Sequence, residues 1–168
     1  LYTKKPPKTI RPRPNVIVAI APIQNCLSHP TATDDVDHTM RFHEDLAAWS
    51  QLTERLYIWD YVICFHHLYL PFPNLDALQP NMKFYARHGI QGIFEQGDTG
   101  GEIKELRNYL LAKCMWNLDT DASAVREEFL EGYYGPAAGP IGEYLEMTHR
   151  KVRDENIHMY IWAKPDDH

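Results

Sequence analysis

Leu-Tyr-Ile-Trp-Asp-Tyr-Val-Ile, residues 56–63, is a short apolar and aromatic run of the kind found in a strand of a buried sheet. Two further runs resemble it, a β-branched one at residues 16–21 and a glycine-flanked one at residues 90–95. Apolarity along the first of these two runs, residues 16–21, is continuous instead of alternating. This pattern predicts a strand covered on both faces, as in a parallel sheet.

Segments with helical spacing of apolar residues separate these runs. The predicted helices lie at about 38–54, 77–88, 102–116, 122–132 and 140–153. Asp76 is the expected N-cap of the second helix, and His88-Gly89 is its expected end. Strands that alternate with helices predict right-handed βαβ units and therefore an α/β fold with a parallel sheet of about three strands.

The length of the chain limits which parallel fold it can form. With 168 residues it is too short for a complete (β/α)₈ barrel, which needs about 250 residues. An open doubly wound sheet stays possible, but no Gly-x-Gly-x-x-Gly follows the first strand, so a dinucleotide site is not supported. The predicted organisation is a proline-rich extended arm (1–14), a partial β/α barrel (15–116) and a trailing helical segment packed on it (117–168).

Composition and charge exclude several classes of function. The net charge of −6 argues against a nucleic-acid partner, because such proteins need a basic surface to neutralise phosphates. No run of about 18 apolar residues is present, so no membrane-spanning segment is expected. No signal peptide is visible, and because the chain starts at Leu1 we expect a fragment boundary there. A partial barrel would expose strand edges, so the remaining barrel half or a second copy is an expected partner.

Polar and aromatic side chains follow each predicted strand, at the edge where parallel α/β proteins bind ligands. The candidate site residues are Asn25 and His29 after the first strand, Trp59, Asp60 and Tyr61 at the end of the second, and Glu95 and Gln96 at the end of the third. Such hydrogen-bonding and stacking groups suit a polyhydroxylated ligand, since an aromatic ring with a polar tip matches a sugar face.

Strand alternation limits how these residues can act together. Asp60 should point away from Trp59 and Tyr61, so the three cannot line one pocket on a regular strand. Asp60 could instead cap a loop, and Trp59 could be packed between sheet and helix. Glu95 is the candidate catalytic carboxyl group, and because neighbouring strands lie about 4.8 Å apart it could pair with Asp60, as glycosidase mechanisms require.

Metal and nucleophile chemistry have weaker support in the sequence. The three cysteines lack a Cys-x-x-Cys pair, and none of the nine histidines has a spacing diagnostic of a metal site. Cys26 lies three residues from His29, which is only suggestive, and no Gly-x-Ser-x-Gly occurs. We therefore expect neither a metal nor a cofactor.

Several segments, taken in their order along the chain, resemble those of a known family. They are residues 57–61, 70–75, 88–97, 105–113, 116–117 and 129–138, with residues 14–16 and 26–30 fitting the upstream portion. Together they resemble the carbohydrate-associated domain of unknown function 4838, members of which are assigned to glycoside hydrolase family 163, endo-acting β-N-acetylglucosaminidases that act on N-glycans.

This resemblance implies a TIM-like barrel of which the chain holds the later strands and the trailing helices. It implies an acidic pair on an earlier strand outside this chain, with Trp59, Asp60, Tyr61 and Glu95 holding the sugar and its acetamido group. Enzymes acting on N-acetylhexosamines often use that acetamido group as the nucleophile. It also implies a periplasmic or extracellular location. The alternative is a carbohydrate-binding α/β domain without catalytic activity.

Overall fold

The computed structural model describes residues 5–97, 101–164 and 166. Its elements follow the predicted order, three strands alternating with helices and two further helices at the end. They are β1 (Val18–Ile20), α1 (Asp37–Ser50), β2 (Leu56–Tyr61), α2 (Leu75–Arg87), β3 (Gly92–Gln96), α3 (Lys104–Trp116), α4 (Ala122–Tyr134) and α5 (Ala138–Glu155), with a 3₁₀ turn at Gly135–Ala137 between the last two. The predicted α/β class is confirmed.

The three strands form one parallel sheet in the order β1-β2-β3. Ile20 is paired with Ile58, and further along the sheet Asp60 is paired with Glu95. Since paired residues of neighbouring strands point to the same face, these pairs define one side of the sheet. The predicted parallel arrangement is confirmed.

Helices α1 and α2 cover that side of the sheet. Ile20, Leu56 and Ile58 pack there against Phe42 and Leu46 of α1 and against Phe84 and Tyr85 of α2. Burial of this apolar surface is the main force that holds the helices on the sheet. We call this side the helix-facing side.

The opposite side of the sheet is open, and one expectation from the sequence is wrong here. The continuous apolar run at residues 16–21 predicted a strand buried on both faces, but Ala19 of β1 is exposed. On the neighbouring strands Tyr57, Trp59 and Phe94 are 39%, 44% and 54% exposed. Burial alternates along β2, because no described element lies over its second face. We call this side the open face.

The end of the chain forms a helical layer on α3. Leu130 of α4 and Leu145 of α5 share a core with Leu106 and Leu110 of α3. Asp121 begins α4, and its side chain accepts the backbone N–H groups of residues 123 and 124, the usual N-cap arrangement. Among the described helices, none is long and apolar enough to cross a membrane.

Helix α2 begins differently from the expectation. Asp76 is not its N-cap: the N-cap is Asn74, which makes no side-chain capping bond, and the N–H of Leu75 donates to His149 Nε2 of α5 at 3.0 Å. Asp76 lies in the first turn and binds Arg126 and Arg153 instead. The predicted end is confirmed, since Gly89 has a φ of +75°, which favours glycine.

The proline-rich arm has no helix or strand over the residues that are described, 5–14. Residues 1–4 of the predicted arm lie outside the described residues, as do 165, 167 and 168 of the trailing segment. Arg55 Nη1 donates to the Pro14 carbonyl oxygen at 3.0 Å, which ties the end of the arm to the start of β2.

Candidate functional site

Two carboxyl groups meet near the carboxyl end of the sheet. Asp60 of β2 is paired in register with Glu95 of β3, and both side chains point to the helix-facing side. Asp60 is 4% exposed, and both of its oxygens accept hydrogen bonds: Oδ1 from the Tyr61 N–H at 2.8 Å and Oδ2 from the Tyr85 hydroxyl at 2.7 Å.

The surroundings of Glu95 are different. Its side chain is half-buried, and its enclosed Oε2 atom has no hydrogen-bond partner among the described residues. The same residue lines an open cleft with Asn108 and Met115 of α3. Among the clefts found in the described part of the chain, this one is lined by Glu95 and not by Asp60.

Burial changes the protonation of this pair. Loss of solvent raises the pKa of Asp60 to about 6, against the opposing effect of the hydrogen bonds from Tyr85 and Tyr61. Burial and the neighbouring Asp60 raise the pKa of Glu95 well above its usual range. Burial likewise raises the pKa of Tyr85, helped by both carboxylates. Burial therefore favours the protonated form of both carboxyl groups, and for Glu95 the neighbouring Asp60 adds to this effect.

The open face carries an aromatic surface at the same end of the sheet. Trp59 and Phe94 are register partners whose rings meet edge to face, with 4.9 Å between their centroids. Trp59 Nε1 donates to Gln96 Oε1 at 2.8 Å, which fixes the indole ring on the neighbouring strand. We call Tyr57, Trp59, Tyr61, Phe94 and Gln96 the aromatic surface.

Gly92 shapes one end of the aromatic surface. A side-chain carbon built on this glycine would lie 2.5 Å from the ring of Tyr57, its register partner. The missing side chain therefore lets the Tyr57 ring lie close against β3.

The predicted site residues thus divide into three groups. Trp59, Tyr61 and Gln96 share the open face, while Asp60 and Glu95 share the helix-facing side. The prediction that Asp60 points away from Trp59 and Tyr61 is confirmed. Asn25 and His29 form the third group, in the loop between β1 and α1. Among the described residues they make no hydrogen bond to either of the other two groups.

Asn25 lies beside a pocket between β1 and α1. It is 4% exposed, and its Nδ2 atom has no hydrogen-bond partner in the described part of the chain. The pocket is also lined by Ile20, Phe42, His38 and Arg41. It is separate from the aromatic surface.

His29 belongs to a cluster that the sequence did not indicate. Its Nδ1 atom lies 3.3 Å from Cys26 Sγ, and Asp34 and His158 complete a set whose ligand atoms all lie within 4.8 Å of one another. These four residue types can hold a metal ion. Burial and the neighbouring His158 lower the pKa of His29, which favours the neutral imidazole that a metal requires.

Tyr85 is a further site residue that sequence reasoning missed. It contacts Asp60 through its hydroxyl and belongs to the core through its ring. In the sequence it occupies an apolar position of a helix, where a tyrosine is indistinguishable from a core aromatic residue.

One known family matches the chain at the level of sequence. The model of a family described as a domain of unknown function (DUF4838) matches residues 1–146. The chain belongs to this family. The DUF4838 match includes all three strands and every candidate residue named above except His158 and His149. No curated protein and no solved structure matches the chain.

Proposed function

We propose that this DUF4838 chain is one sector of a glycoside hydrolase barrel that acts on N-acetylglucosamine-containing glycans, and that its aromatic surface binds the sugar. The observation that carries the proposal is the exposed Trp59–Phe94 pair, held by Gln96 at the carboxyl end of a parallel sheet. Its resemblance to glycoside hydrolase family 163 supplies the reaction class.

The aromatic surface has the chemistry that a pyranose ring needs. Aromatic rings offer apolar faces to the C–H side of a sugar, and the two exposed rings of Trp59 and Phe94 together are large enough for one sugar residue to lie across them. The Gln96 amide and the Tyr61 hydroxyl add hydrogen-bonding groups for sugar hydroxyl or acetamido groups.

The arrangement of the helices supports a barrel sector. The strand order is sequential, and α1 and α2 pack on the same side of the sheet. In a doubly wound sheet the order reverses and helices cover both sides, whereas in a barrel the helices lie outside and the other face turns inwards. The open face would then line the barrel interior, against strands contributed from outside this chain.

Within the proposal, Glu95 is the candidate catalytic carboxyl group and Asp60 is a positioning residue. Because both side chains point to the helix-facing side, opposite the aromatic surface, Glu95 can act on a bound sugar only where the two sides meet, at the carboxyl end of the sheet. Glu95 borders an open cleft and favours the protonated form that a general acid needs. Asp60 is buried and both of its oxygens are hydrogen-bonded. It can therefore affect a ligand only indirectly, by positioning Glu95 and the end of β2.

Glycan binding by single variants tests the sugar-binding role. We expect Trp59→Ala and Phe94→Ala to weaken binding of N-acetylglucosamine oligosaccharides by at least about fivefold each, since one stacking contact contributes about 1 kcal/mol or more. The matched control is Trp116→Ala, because Trp116 is 92% exposed at the end of α3, away from the sheet. Equal binding by all three variants and the unchanged chain would contradict the proposal.

A non-catalytic carbohydrate-binding domain is the second candidate, favoured by the same aromatic surface. Hydrolysis of an N-glycan by the longer parent protein distinguishes the two, and Glu95→Gln in that protein assigns the role of the residue. Loss of a catalytic acid lowers kcat by several orders of magnitude, whereas loss of one positioning hydrogen bond costs about 1–3 kcal/mol. Binding without any hydrolysis would support the second candidate.

A further inference from the structure

Cys26, His29, Asp34 and His158 come together from two distant parts of the chain. The first three lie in the loop between β1 and α1, and His158 follows α5. Each offers one ligand atom, and all four atoms lie within 4.8 Å of one another. Cys26 and Asp34 are buried, and the two histidines are half-buried.

We propose that these four side chains form a zinc site that joins the loop after β1 to the segment after α5. The sequence alone predicts no metal, and none of the four residues belongs to the aromatic surface. The inference is therefore independent of the proposed glycosidase function.

The separations within the cluster suit a tetrahedral ion. Zinc binds sulfur at about 2.3 Å and nitrogen or oxygen at about 2.0–2.2 Å, so ligand atoms of one tetrahedral site lie about 3.3–3.8 Å apart. Cys26 Sγ and His29 Nδ1 are 3.3 Å apart, and Asp34 Oδ1 and His158 Nδ1 are also 3.3 Å apart. Two edges of the cluster already have the required length.

Three atoms of the cluster are buried without a hydrogen-bond partner among the described residues. They are His29 Nε2, Asp34 Oδ1 and His158 Nδ1. The last two lie within ion-pair distance of each other, but their orientation does not form a hydrogen bond. Because a buried polar atom without a partner costs about 1–3 kcal/mol, an ion bound to Asp34 Oδ1 and His158 Nδ1 would remove a penalty that the fold otherwise carries. His29 Nε2 would gain nothing from it, because His29 offers its Nδ1 atom to the ion.

Charge also favours a divalent cation. Asp34 has a side chain that is 1% exposed, and an ionised carboxylate so deeply buried needs a compensating charge. When a metal binds, the Cys26 thiol releases its proton to solvent, and the resulting thiolate and the Asp34 carboxylate carry two negative charges, which Zn²⁺ neutralises completely while two neutral imidazoles complete the shell. Sulfur and imidazole ligands disfavour Mg²⁺ and Ca²⁺, which prefer oxygen.

Neighbouring groups orient the ligands in the manner of an outer shell. The Thr39 hydroxyl donates to Asp34 Oδ2, which leaves Oδ1 directed at the cluster. Asn156 Nδ2 lies 3.2 Å from His158 Nε2, and only the flipped amide, with Oδ1 accepting from an Nε2–H group, leaves Nδ1 of His158 free for the ion. Metal-binding histidines and carboxylates commonly have such partners, which fix the tautomer and the ring orientation.

The site lies where two segments are already joined by hydrogen bonds. Ser28 Oγ donates to the Ile157 carbonyl oxygen at 2.8 Å and accepts from the Met159 N–H at 3.1 Å. The Leu27 N–H donates to the Met159 carbonyl oxygen at 2.8 Å. A metal here would therefore stabilise the contact between the loop after β1 and the end of the chain.

Metal titration of the purified chain tests the proposal. After removal of metal with a chelator, Co²⁺ should bind at one ion per chain and give the strong visible bands of a tetrahedral site and a thiolate-to-cobalt charge-transfer band. Zn²⁺ should displace Co²⁺ and raise the thermal unfolding midpoint, whereas Mg²⁺ should do neither. If the unchanged chain gives no charge-transfer band, the proposal is wrong, whatever the variants do.

Variants assign the ligands. Cys26→Ala and His158→Ala should each weaken zinc binding at least about 100-fold, and Thr39→Val should weaken it about 10–100-fold, the range found for outer-shell partners. Cys114→Ala is the matched control. Cys114 is fully buried in a different core, so this variant should bind zinc like the unchanged chain. If Cys26→Ala does not fold, His158→Ala serves alone. Unchanged affinity in the ligand variants would overturn the assignment.

Discussion

Asp60 and Glu95 are register partners on neighbouring parallel strands, and their carboxyl groups share the helix-facing side of the sheet. Asp60 is fully hydrogen-bonded, while Glu95 Oε2 has no hydrogen-bond partner among the described residues. Two carboxyl groups so placed cannot both be ionised without a free-energy penalty, and this has a consequence for stability.

We expect the Asp60–Glu95 pair to make the protein less stable as pH rises. The folded-state pKa of Asp60 is raised from 3.8 to about 6, and that of Glu95 is raised further, so the folded state binds more protons than the unfolded state above about pH 4. For Asp60 the shift corresponds to a loss on the order of 2–3 kcal/mol between about pH 4 and pH 7.

Urea unfolding over pH 4–8 measures this effect. Glu95→Gln should reduce the loss of stability on going to high pH, because the neutral amide removes the ionisation of Glu95, which burial and the neighbouring Asp60 oppose in the folded state. Glu54→Gln is the control, since Glu54 is exposed and should leave the pH profile unchanged. Identical pH profiles for the unchanged chain and Glu95→Gln would contradict the prediction.

Tyr85→Phe should destabilise the protein by removing the hydroxyl that donates to Asp60 Oδ2 at 2.7 Å. A buried acceptor left without its donor costs about 1–3 kcal/mol, and the cost should be greater at pH 8 than at pH 4, because the bond to an ionised carboxylate is stronger. The measurement is the free energy of unfolding in urea at both pH values. Tyr109→Phe is the control, because its hydroxyl binds the exposed Glu128, and a similar loss there would argue against a special role for Tyr85.

His149 should make the fold sensitive to acid. Its Nδ1 atom lies 2.7 Å from the Leu145 carbonyl oxygen, and its Nε2 atom accepts the Leu75 N–H, so the ring fits this place only when neutral. Burial lowers its pKa, so the unfolded state binds more protons, and this contribution to stability is lost as pH falls below about 6.5.

The His149→Gln variant keeps a polar side chain near Leu75 but has no imidazole that can take up a proton. The difference in unfolding free energy between the unchanged chain and this variant should therefore shrink as pH falls from 7.5 to 5.5. The exposed His38, changed to Gln, should show no such pH-dependent difference. A difference that is constant over this range for His149→Gln would exclude the proposed linkage.

Arg107 should be one of the most sensitive positions in the helical layer. Its side chain is 1% exposed, and its Nε atom donates to Asn74 Oδ1 at 3.1 Å. Burial lowers its pKa to about 10, so it stays charged at neutral pH. Arg107→Ala should cost about 3 kcal/mol or more through lost hydrogen bonds and a cavity, measured by urea unfolding. The exposed Arg41→Ala should cost less than about 0.5 kcal/mol, and equal losses would contradict the prediction.

Local patterns in the sequence predicted most of the secondary structure. Five helices, three strands and the parallel pairing follow from spacing of apolar residues and from glycine at helix ends, which depend on neighbours in the chain. The same alternation placed Asp60 away from Trp59 and suggested its pairing with Glu95. These properties could be inferred because strand geometry alone fixes the direction of successive side chains.

Contacts between distant segments could be seen only in the tertiary structure. His158 meets Cys26 and His29 from about 130 residues away in the chain, and His149 supplies the acceptor at the start of α2. Which face of β2 is covered also depends on where α1 and α2 pack, which periodicity cannot decide. These features arise from packing between elements, because the identity of a residue does not specify which distant residue it will contact.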